Sequence, residues 1–186
     1  MHPADDAPKP AAAAGRWLAR LHALPAPNDD TLDLSEALAL RLASTCRRAE
    51  VLGLPTDAVR RGFGNPAQFA GLPRVWCHRD YRPANWLWDE HAGLSVIDLE
   101  HTRVDAAEVD LVKLTTEHWA QRPGARQAFL DGYGPTRSGC WAAVYSLSWL
   151  HGLATLCWGH RHKDPLLIGL GERVLSLLEA TPRPRY

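Results

Sequence analysis

Apolar side chains recur at helical spacing in two stretches of the N-terminal third of the chain. The pattern predicts a helix over about 11–24 and a second over about 34–52, separated by a Pro- and Asp-rich break. The first stretch carries its apolar face on Trp17, Leu18, Leu21 and Leu24. Beyond the second stretch, frequent glycine and proline predict an irregular region that contains one short helix.

The pattern changes at Pro73, where short apolar runs replace helical periodicity. Strands are predicted at about 74–77, 85–88 and 94–97, and the last two form a hairpin closed by a turn at Gly93. Helical periodicity returns after Val104. It predicts helices near 106–120, 123–132, 138–160 and 165–179. The predicted fold class is therefore α+β and mostly α, with a small β-hairpin between the helical segments.

Composition and charge exclude several classes of protein. The 186 residues include 21 Lys plus Arg and 21 Asp plus Glu, so the formal net charge is zero. A neutral chain has no basic surplus for a run of phosphates or for an anionic membrane surface, which argues against nucleic-acid and membrane partners. With 46% hydrophobic residues the chain can bury a core. We expect a disordered tail over 1–10, one domain over 11–180 and a second tail over 181–186.

The stretch over 138–159 has no formally charged residue and is long enough to cross a bilayer. Polar side chains are scattered through it, so we interpret it as a buried helix. The N-terminus lacks the basic and apolar regions of a signal peptide, and the four cysteines show no CxxC spacing. These features predict a cytoplasmic protein with reduced thiols.

The segment from His78 to Asn85 is the most informative. It contains His-Arg-Asp, four residues and Asn, which is the spacing of a kinase catalytic loop. Asp98 follows thirteen residues after Asn85, at the end of a short apolar run. The loop follows the predicted strand over 74–77. Asn85 lies at the start of the predicted hairpin and Asp98 at its end. Two oxygen ligands can converge on a metal ion there.

The chemistry of phosphoryl transfer explains these residue types. The reaction depends on positioning and charge neutralisation, and Mg²⁺ prefers oxygen ligands. Asp98 and Asn85 are the candidate Mg²⁺ ligands and would thereby hold the nucleotide phosphates. Asp80 is the candidate base for the attacking hydroxyl. Arg82 is a candidate catalytic and nucleotide-binding cation, since it lies two residues further on.

The same residues resemble the aminoglycoside phosphotransferase and choline kinase-like family of small-molecule kinases. Residues 97–100, Ile-Asp-Leu-Glu, are similar to the family's Ile-Asp-aromatic-Glu, and 110–114 are similar to the helix start that follows it. Residues 16–25 are similar to the family's helix just past the hinge between lobes. The resemblance implies the C-terminal, helical lobe of a protein-kinase-like fold, with the hairpin carrying the catalytic and metal loops. It implies Mg²⁺ and ATP as cofactors.

The resemblance also implies structural support from His78, Arg79, Glu100 and Asp110. Arg79 stands where the family usually has glycine, and it is expected to pair with a carboxylate such as Asp110 or with a ligand. Asp110 is interpreted as a helix N-cap, which is compatible with bracing the catalytic loop. Glu100 either forms a structural salt bridge or supports the metal. Because the match begins near residue 12, the N-terminal nucleotide lobe with its phosphate-binding lysine is expected to be absent.

Three hypotheses follow. The first is an ATP- and Mg²⁺-dependent phosphotransferase that acts on a hydroxyl of a small molecule such as an aminoglycoside-like or amino-alcohol substrate. The second is a degenerate kinase-derived binding module or half of a split kinase, whose open face is covered by a homodimer or a partner chain. The third is an unrelated α+β protein with a coincidental motif. Four tryptophans belong either to the core or to a cage for a quaternary ammonium ligand: Trp119, Trp141, Trp149 and Trp158.

Overall fold

The computed structural model describes residues 2–3, 8–27 and 32–183. The strands are β1 (His2–Pro3), β2 (Val75–Cys77), β3 (Trp86–Asp89), β4 (Gly93–Val96) and β5 (Arg103–Asp105). The helices are α1 (Pro8–His22), α2 (Leu34–Val51), α3 (Asp57–Phe63), α4 (Val109–Lys113), α5 (Pro123–Tyr133), α6 (Cys140–His162) and α7 (Pro165–Ala180). The chain forms two compact units, one of residues 1–28 and 74–137 and one of 29–73 and 138–186.

The first unit contains all five strands. β3 and β4 form the predicted hairpin, with Trp86 opposite Val96 and Asp89 opposite Gly93. β1 adds to the other edge of β3, and a separate antiparallel ladder joins β2 to β5. Helices α1 and α5 pack against each other in this unit. α4 continues into a π-helical turn, Leu114–His118. The loop after β2, the segment after β4 and α4 all belong to this unit, and they carry the predicted site.

The second unit is built around α6. This helix buries side chains around most of its circumference, which explains why 138–159 contains no charged residue. α7 approaches it closely, since a Cβ added at Gly171 would lie 2.7 Å from the backbone nitrogen of Leu156. α2 and α3 also pack on α6. No helix within the described ranges is both long enough and apolar enough to cross a membrane.

The structure confirms the predicted class and, within a few residues, the positions of the major helices and the hairpin. Two strands were not predicted. β5 contains one apolar residue between Arg103 and Asp105, too few for a periodic signal, and it is a strand because β2 supplies a partner. α1 begins at Pro8, within the predicted disordered tail over 1–10, whereas residues 4–7 lie outside the described residues. The same holds for 184–186 of the other predicted tail.

The backbones of α1 and α5 approach each other closely in the first unit, and a substitution at their contact can test this. A Cβ on Gly15 would lie 2.1 Å from the carbonyl oxygen of Phe129, whereas a Cβ on Gly124 meets nothing within 4 Å. We expect Gly15→Ala to destabilise the protein by about 1–3 kcal/mol, because rigid backbone atoms must separate. Gly124→Ala, the matched control, is expected to be neutral or slightly stabilising. Urea unfolding measures both, and equal midpoints would contradict the packing.

Candidate active site

The loop that follows β2 is fixed to the hairpin by His78, which is fully buried. Its Nε2 donates to the carbonyl oxygen of Ile97 at 2.9 Å, since a carbonyl can only accept. Its Nδ1 then accepts from the backbone N–H of Asp80 at 3.2 Å. One neutral imidazole therefore connects the residue before Asp98 with Asp80 itself. These are the hydrogen-bond partners of His78, and its role in supporting catalysis stays a prediction.

Asp110 braces the same loop from α4. Its Oδ2 accepts from the backbone N–H of His78 at 2.8 Å, and its Oδ1 accepts from that of Arg79 at 2.6 Å. The ring of His22, on α1, lies 3.1 Å from Oδ2. Asp110 is 1% exposed and lies inside α4, whose N-cap is Glu108. The N-cap interpretation was therefore wrong, because the carboxylate reaches across to the loop and not back to its own helix.

Arg79 adopts a left-handed conformation with φ of 69°, which favours glycine. This conformation accounts for the glycine that the resembling family has at the position. The guanidinium pairs with the buried carboxylate of Asp105 and not with Asp110, which binds the Arg79 backbone instead. The expected pairing with Asp110 was wrong in this respect. The ion pair with the buried Asp105 carboxylate thus offsets the strain of the left-handed Arg79 backbone.

Tyr81 anchors the loop on α1. Its hydroxyl donates to the carbonyl oxygen of Ala14 at 2.8 Å, and its ring stacks on Trp17 with centroids 5.7 Å apart. Tyr81 is 1% exposed, and burial raises its pKa well above the usual value, so the hydroxyl stays protonated as a donor. The sequence analysis assigned no role to Tyr81. Its position between Asp80 and Arg82 gave no signal of burial.

Asp80 accepts polar contacts from three side chains. The Asn85 amide nitrogen donates to the Asp80 carbonyl oxygen at 2.9 Å and to Oδ2 at 3.1 Å. Arg82 Nε lies 3.4 Å from Oδ1, and Lys113 Nζ donates to the same oxygen. Burial acts to raise the Asp80 pKa, but Lys113, Arg82 and Asn85 together outweigh it, so the pKa is lowered. The carboxylate is therefore ionised at neutral pH.

Lys113 is a candidate functional residue to which the sequence assigned no role. The resemblance implies a phosphate-binding lysine in an N-terminal lobe, and Lys113, on α4 after the catalytic loop, does not fill that position. It lies on α4 three residues after Asp110, so the two side chains share a helix face directed at the loop. The i to i+3 spacing from the brace was a signal that could have placed it at Asp80.

Asp98 follows β4 in a left-handed conformation, with φ of 64° and ψ of 54°. It is exposed, and its carboxylate makes no hydrogen bond or ion pair with any residue that the structure describes. The backbone N–H of Ile97 donates to the carbonyl oxygen of Asn85 at 3.0 Å, which holds the Asp98 segment beside the loop. A strained non-glycine residue with an unengaged carboxylate is typical of a ligand-binding position. Glu100 is exposed, with His101 Nε2 3.5 Å from its Oε1.

His22, Cys77 and Asp110 bring their potential ligand atoms within 4.8 Å of one another. Both Asp110 oxygens already accept hydrogen bonds, and burial raises the pKa of the Cys77 thiol far above its usual value. The Cys77 Sγ lies 3.3 Å from the carbonyl oxygen of Ala106. We therefore interpret this cluster as support for the loop.

Comparison with known proteins shows the family to which the chain belongs. The phosphotransferase enzyme family matches residues 1–146, which is more than half of the chain. The chain therefore belongs to the phosphotransferase enzyme family. No curated protein matches it in sequence.

Solved structures of phosphotransferases share its fold at low identity. The GDP complex of aminoglycoside 2′-phosphotransferase-IIIa is 17% identical with a TM-score of 0.65, over 95% of this chain and 64% of that one. A macrolide 2′-phosphotransferase from Brachybacterium faecium is 19% identical with a TM-score of 0.59, over 98% and 63%. Spectinomycin phosphotransferase with ADP and spectinomycin is 13% identical with a TM-score of 0.56, over 97% and 69%. The chain spans less than two thirds of the length of the first two. The kinase-like fold implied by the resemblance is confirmed.

The Arg79 conformation and its ion pair make opposite contributions to stability. Replacing Arg79 by glycine relieves about 1–2 kcal/mol of left-handed strain but removes the cation from a buried carboxylate, which costs about 3–5 kcal/mol. We expect Arg79→Gly to lower the free energy of unfolding by about 2 kcal/mol. Arg79→Ala keeps the strain, so it should be about 1 kcal/mol less stable than the glycine variant. Urea unfolding gives the order, and a glycine variant more stable than the wild type would contradict the ion pair.

Removal of the Lys113 charge should raise the Asp80 pKa, because burial is then opposed only by Arg82 and Asn85. In the wild type, the stability from the ionised carboxylate is present above the usual Asp pKa and is lost as the pH falls through the lowered value. In Lys113→Met the Asp80 pKa lies closer to or above the usual value, so less stability is lost as the pH falls through this range. A carboxyl-carbon NMR titration measures the shift. Lys9→Met, which removes an exposed lysine, is the control and should leave the Asp80 titration unchanged.

Proposed function

We propose that the chain carries the catalytic machinery of an ATP- and Mg²⁺-dependent phosphotransferase that acts on a hydroxyl of a small molecule. The observation that carries this proposal is the set of contacts that Asn85, Arg82 and Lys113 make with the Asp80 carboxylate. The family model supports phosphotransfer. The proposal extends this to the donor, the metal and the acceptor.

Asp80 is proposed as the base. A lowered pKa makes it a weak proton acceptor in the ground state, so its first role is to orient the acceptor hydroxyl through a hydrogen bond. As the acceptor oxygen bonds to the γ-phosphorus, the bond from that phosphorus to the bridging oxygen breaks and ADP leaves with the electron pair. The acidity of the hydroxyl rises during this step, and its proton passes to Asp80. Asn85 keeps the carboxylate in a fixed rotamer by donating to Oδ2. This assignment agrees with the role expected from the sequence.

Arg82 and Lys113 are proposed to neutralise charge on the transferring phosphoryl group. Both place nitrogen atoms at Asp80 Oδ1, where the acceptor hydroxyl is expected to approach. Fixed cations at such a position stabilise developing negative charge without reorganisation. The chain has three lysines, and Lys113 is the one proposed to neutralise the phosphoryl group. It does so from α4 and not from an upstream strand.

Asn85 and Asp98 fit a magnesium ion by their chemistry. The Asn85 amide nitrogen is used for Asp80, which leaves its oxygen as the atom available for a cation, and the Asp98 carboxylate is exposed. Mg²⁺ favours such oxygen ligands together with phosphates. When bound, it neutralises the phosphate oxygens of the donor. Glu100 is placed close enough in sequence to support the ion through water.

The phosphoryl donor and the acceptor molecule are inferred as chemical classes. The solved aminoglycoside phosphotransferase was captured with GDP and spectinomycin phosphotransferase with ADP, so both ATP and GTP are donor candidates, with ATP preferred here. Those relatives also bind kanamycin or spectinomycin. A hydroxyl-bearing aminoglycoside-like or amino-alcohol molecule is the proposed acceptor class. A dimer or partner chain that covers an open face stays a prediction, as does cytoplasmic location.

Calorimetric titration of MgATP tests the proposal. Wild-type protein is expected to bind MgATP and to lose this binding when EDTA is added. Asp98→Ala should weaken binding at least about tenfold, because a proposed oxygen ligand of the metal is lost. Asp131→Ala, which removes an exposed carboxylate from α5, is the matched control and should bind as the wild type does.

Turnover separates the base from the metal ligands. Asp80→Asn should retain MgATP binding while the rate of phosphate transfer to a responsive acceptor falls about 10²–10⁴-fold, the usual contribution of general base catalysis. Unchanged turnover would remove Asp80 from the mechanism. Absence of MgATP binding in the wild type would contradict the phosphotransferase proposal and favour a kinase-derived binding module.

A further inference from the structure

The second unit contains an arginine-lined cleft between α2 and α6 that plays no part in the proposed phosphotransfer. Its volume is about 520 Å³, within the range of small-molecule sites. The cleft is lined by Ser44, Arg47, Arg48, Val51, Leu52, Ala154, Cys157, Trp158 and Arg161. Both walls come from the C-terminal halves of their helices, and all nine residues belong to one compact unit.

The floor of this arginine-lined cleft is apolar and open to solvent. Val51 is 87% exposed and Trp158 is 55% exposed, values that are high for large apolar side chains. The Trp158 ring packs against the ring of His162 with centroids 4.1 Å apart. An exposed indole beside aliphatic side chains forms a surface onto which a flat apolar body can stack.

The walls give the cleft a positive charge. Arg47, Arg48 and Arg161 line it, and none of the nine described lining residues carries a carboxylate. Arg48 donates to the hydroxyl of Thr45 at 3.0 Å, a neutral partner that leaves its charge uncompensated. The adjacent acidic residue, Glu50, is engaged by Arg60 at 2.9 Å. Three guanidinium groups around an apolar floor therefore complement a ligand with an acidic group and an apolar body.

We propose that the arginine-lined cleft binds a small amphiphilic anion, meaning a free molecule with an aromatic or aliphatic body and a carboxylate, sulfonate or phosphate group. The apolar body stacks on Trp158, and the acidic group binds the arginines. A quaternary ammonium ligand is disfavoured, because it would meet three positive charges. The cage considered from the sequence is therefore not the site that we propose at Trp158. Trp119 and Trp149 are 5% and 4% exposed and belong to the cores of their units.

Two fluorescent probes with related ring systems test the proposal on the full chain. 8-Anilinonaphthalene-1-sulfonate carries a sulfonate, and N-phenyl-1-naphthylamine lacks it. We expect the anionic probe to bind more tightly than the neutral one. Its affinity should fall as NaCl is raised, while that of the neutral probe does not, because salt screens exposed charges. Equal affinity for the two probes, or no effect of salt, would overturn the proposal.

Single substitutions locate the probe. Arg47→Gln and Arg161→Gln should each weaken the anionic probe about two- to fivefold, as expected for one exposed charge. Trp158→Ala should weaken both probes up to about tenfold through lost stacking. Arg173→Gln removes an exposed arginine of α7 outside the cleft and is the matched control. If the control weakens the anionic probe as much as the cleft variants do, the probe binds elsewhere and the proposal fails.

Two other occupants are distinguished by the same variants. If a second copy of the chain covers the cleft, sedimentation will show a dimer that Trp158→Ala dissociates, and probe affinity will rise on dilution. If a lipid surface does, the wild type will co-sediment with anionic phosphatidylglycerol vesicles and Arg161→Gln will not. Either result contradicts a free small molecule as the occupant. Circular dichroism confirms that each variant is folded before its affinity is compared.

Discussion

The buried carboxylate of Asp110 is the constraint on which the first unit depends. It accepts the backbone N–H groups of His78 and Arg79 and contacts the ring of His22, so one side chain joins α1, α4 and the loop after β2. A charge buried this deeply is tolerated only when hydrogen bonds replace its water. The loop conformation that offers two successive N–H groups is therefore favoured over others. This loop conformation also sets the direction in which the Asp80 side chain points.

At Asp80, burial and neighbouring side chains have opposite effects on the carboxyl pKa. Its carboxylate is 7% exposed, and burial alone would favour the neutral acid. Two cations and an amide donor reverse this preference and keep the group charged. The same cations are what a transferring phosphoryl group requires, so the contacts that maintain the base also prepare its surroundings for anionic substrate. Structure and proposed catalysis thus depend on one set of interactions.

The sequence predicted the helices and hairpin because their apolar periodicity is long, and the catalytic loop because its spacing is specific. Contacts between segments distant in the chain were not predictable. Lys113 pairs with Asp80 thirty-three residues earlier, and only its spacing from Asp110 pointed there. The Arg79 guanidinium was expected at a carboxylate such as Asp110 or at a ligand, and the carboxylate that it binds is Asp105. β5 was missed because it is stabilised by its partner strand and not by its composition. Local patterns identify elements, whereas pairing depends on how the chain folds back.

The zero net charge argues against extended phosphate binding, but it is an average over the chain and does not describe local fields. At Asp80 two cations serve one carboxylate, and in the arginine-lined cleft three arginines face an apolar floor without an acidic partner among the lining residues. Each cluster suits a single anionic group and is too small to neutralise a run of phosphates. Since the balancing acidic residues lie elsewhere, a neutral chain can hold two anion-attracting sites. Composition excludes classes of polymeric partner, while side-chain placement decides small-molecule chemistry.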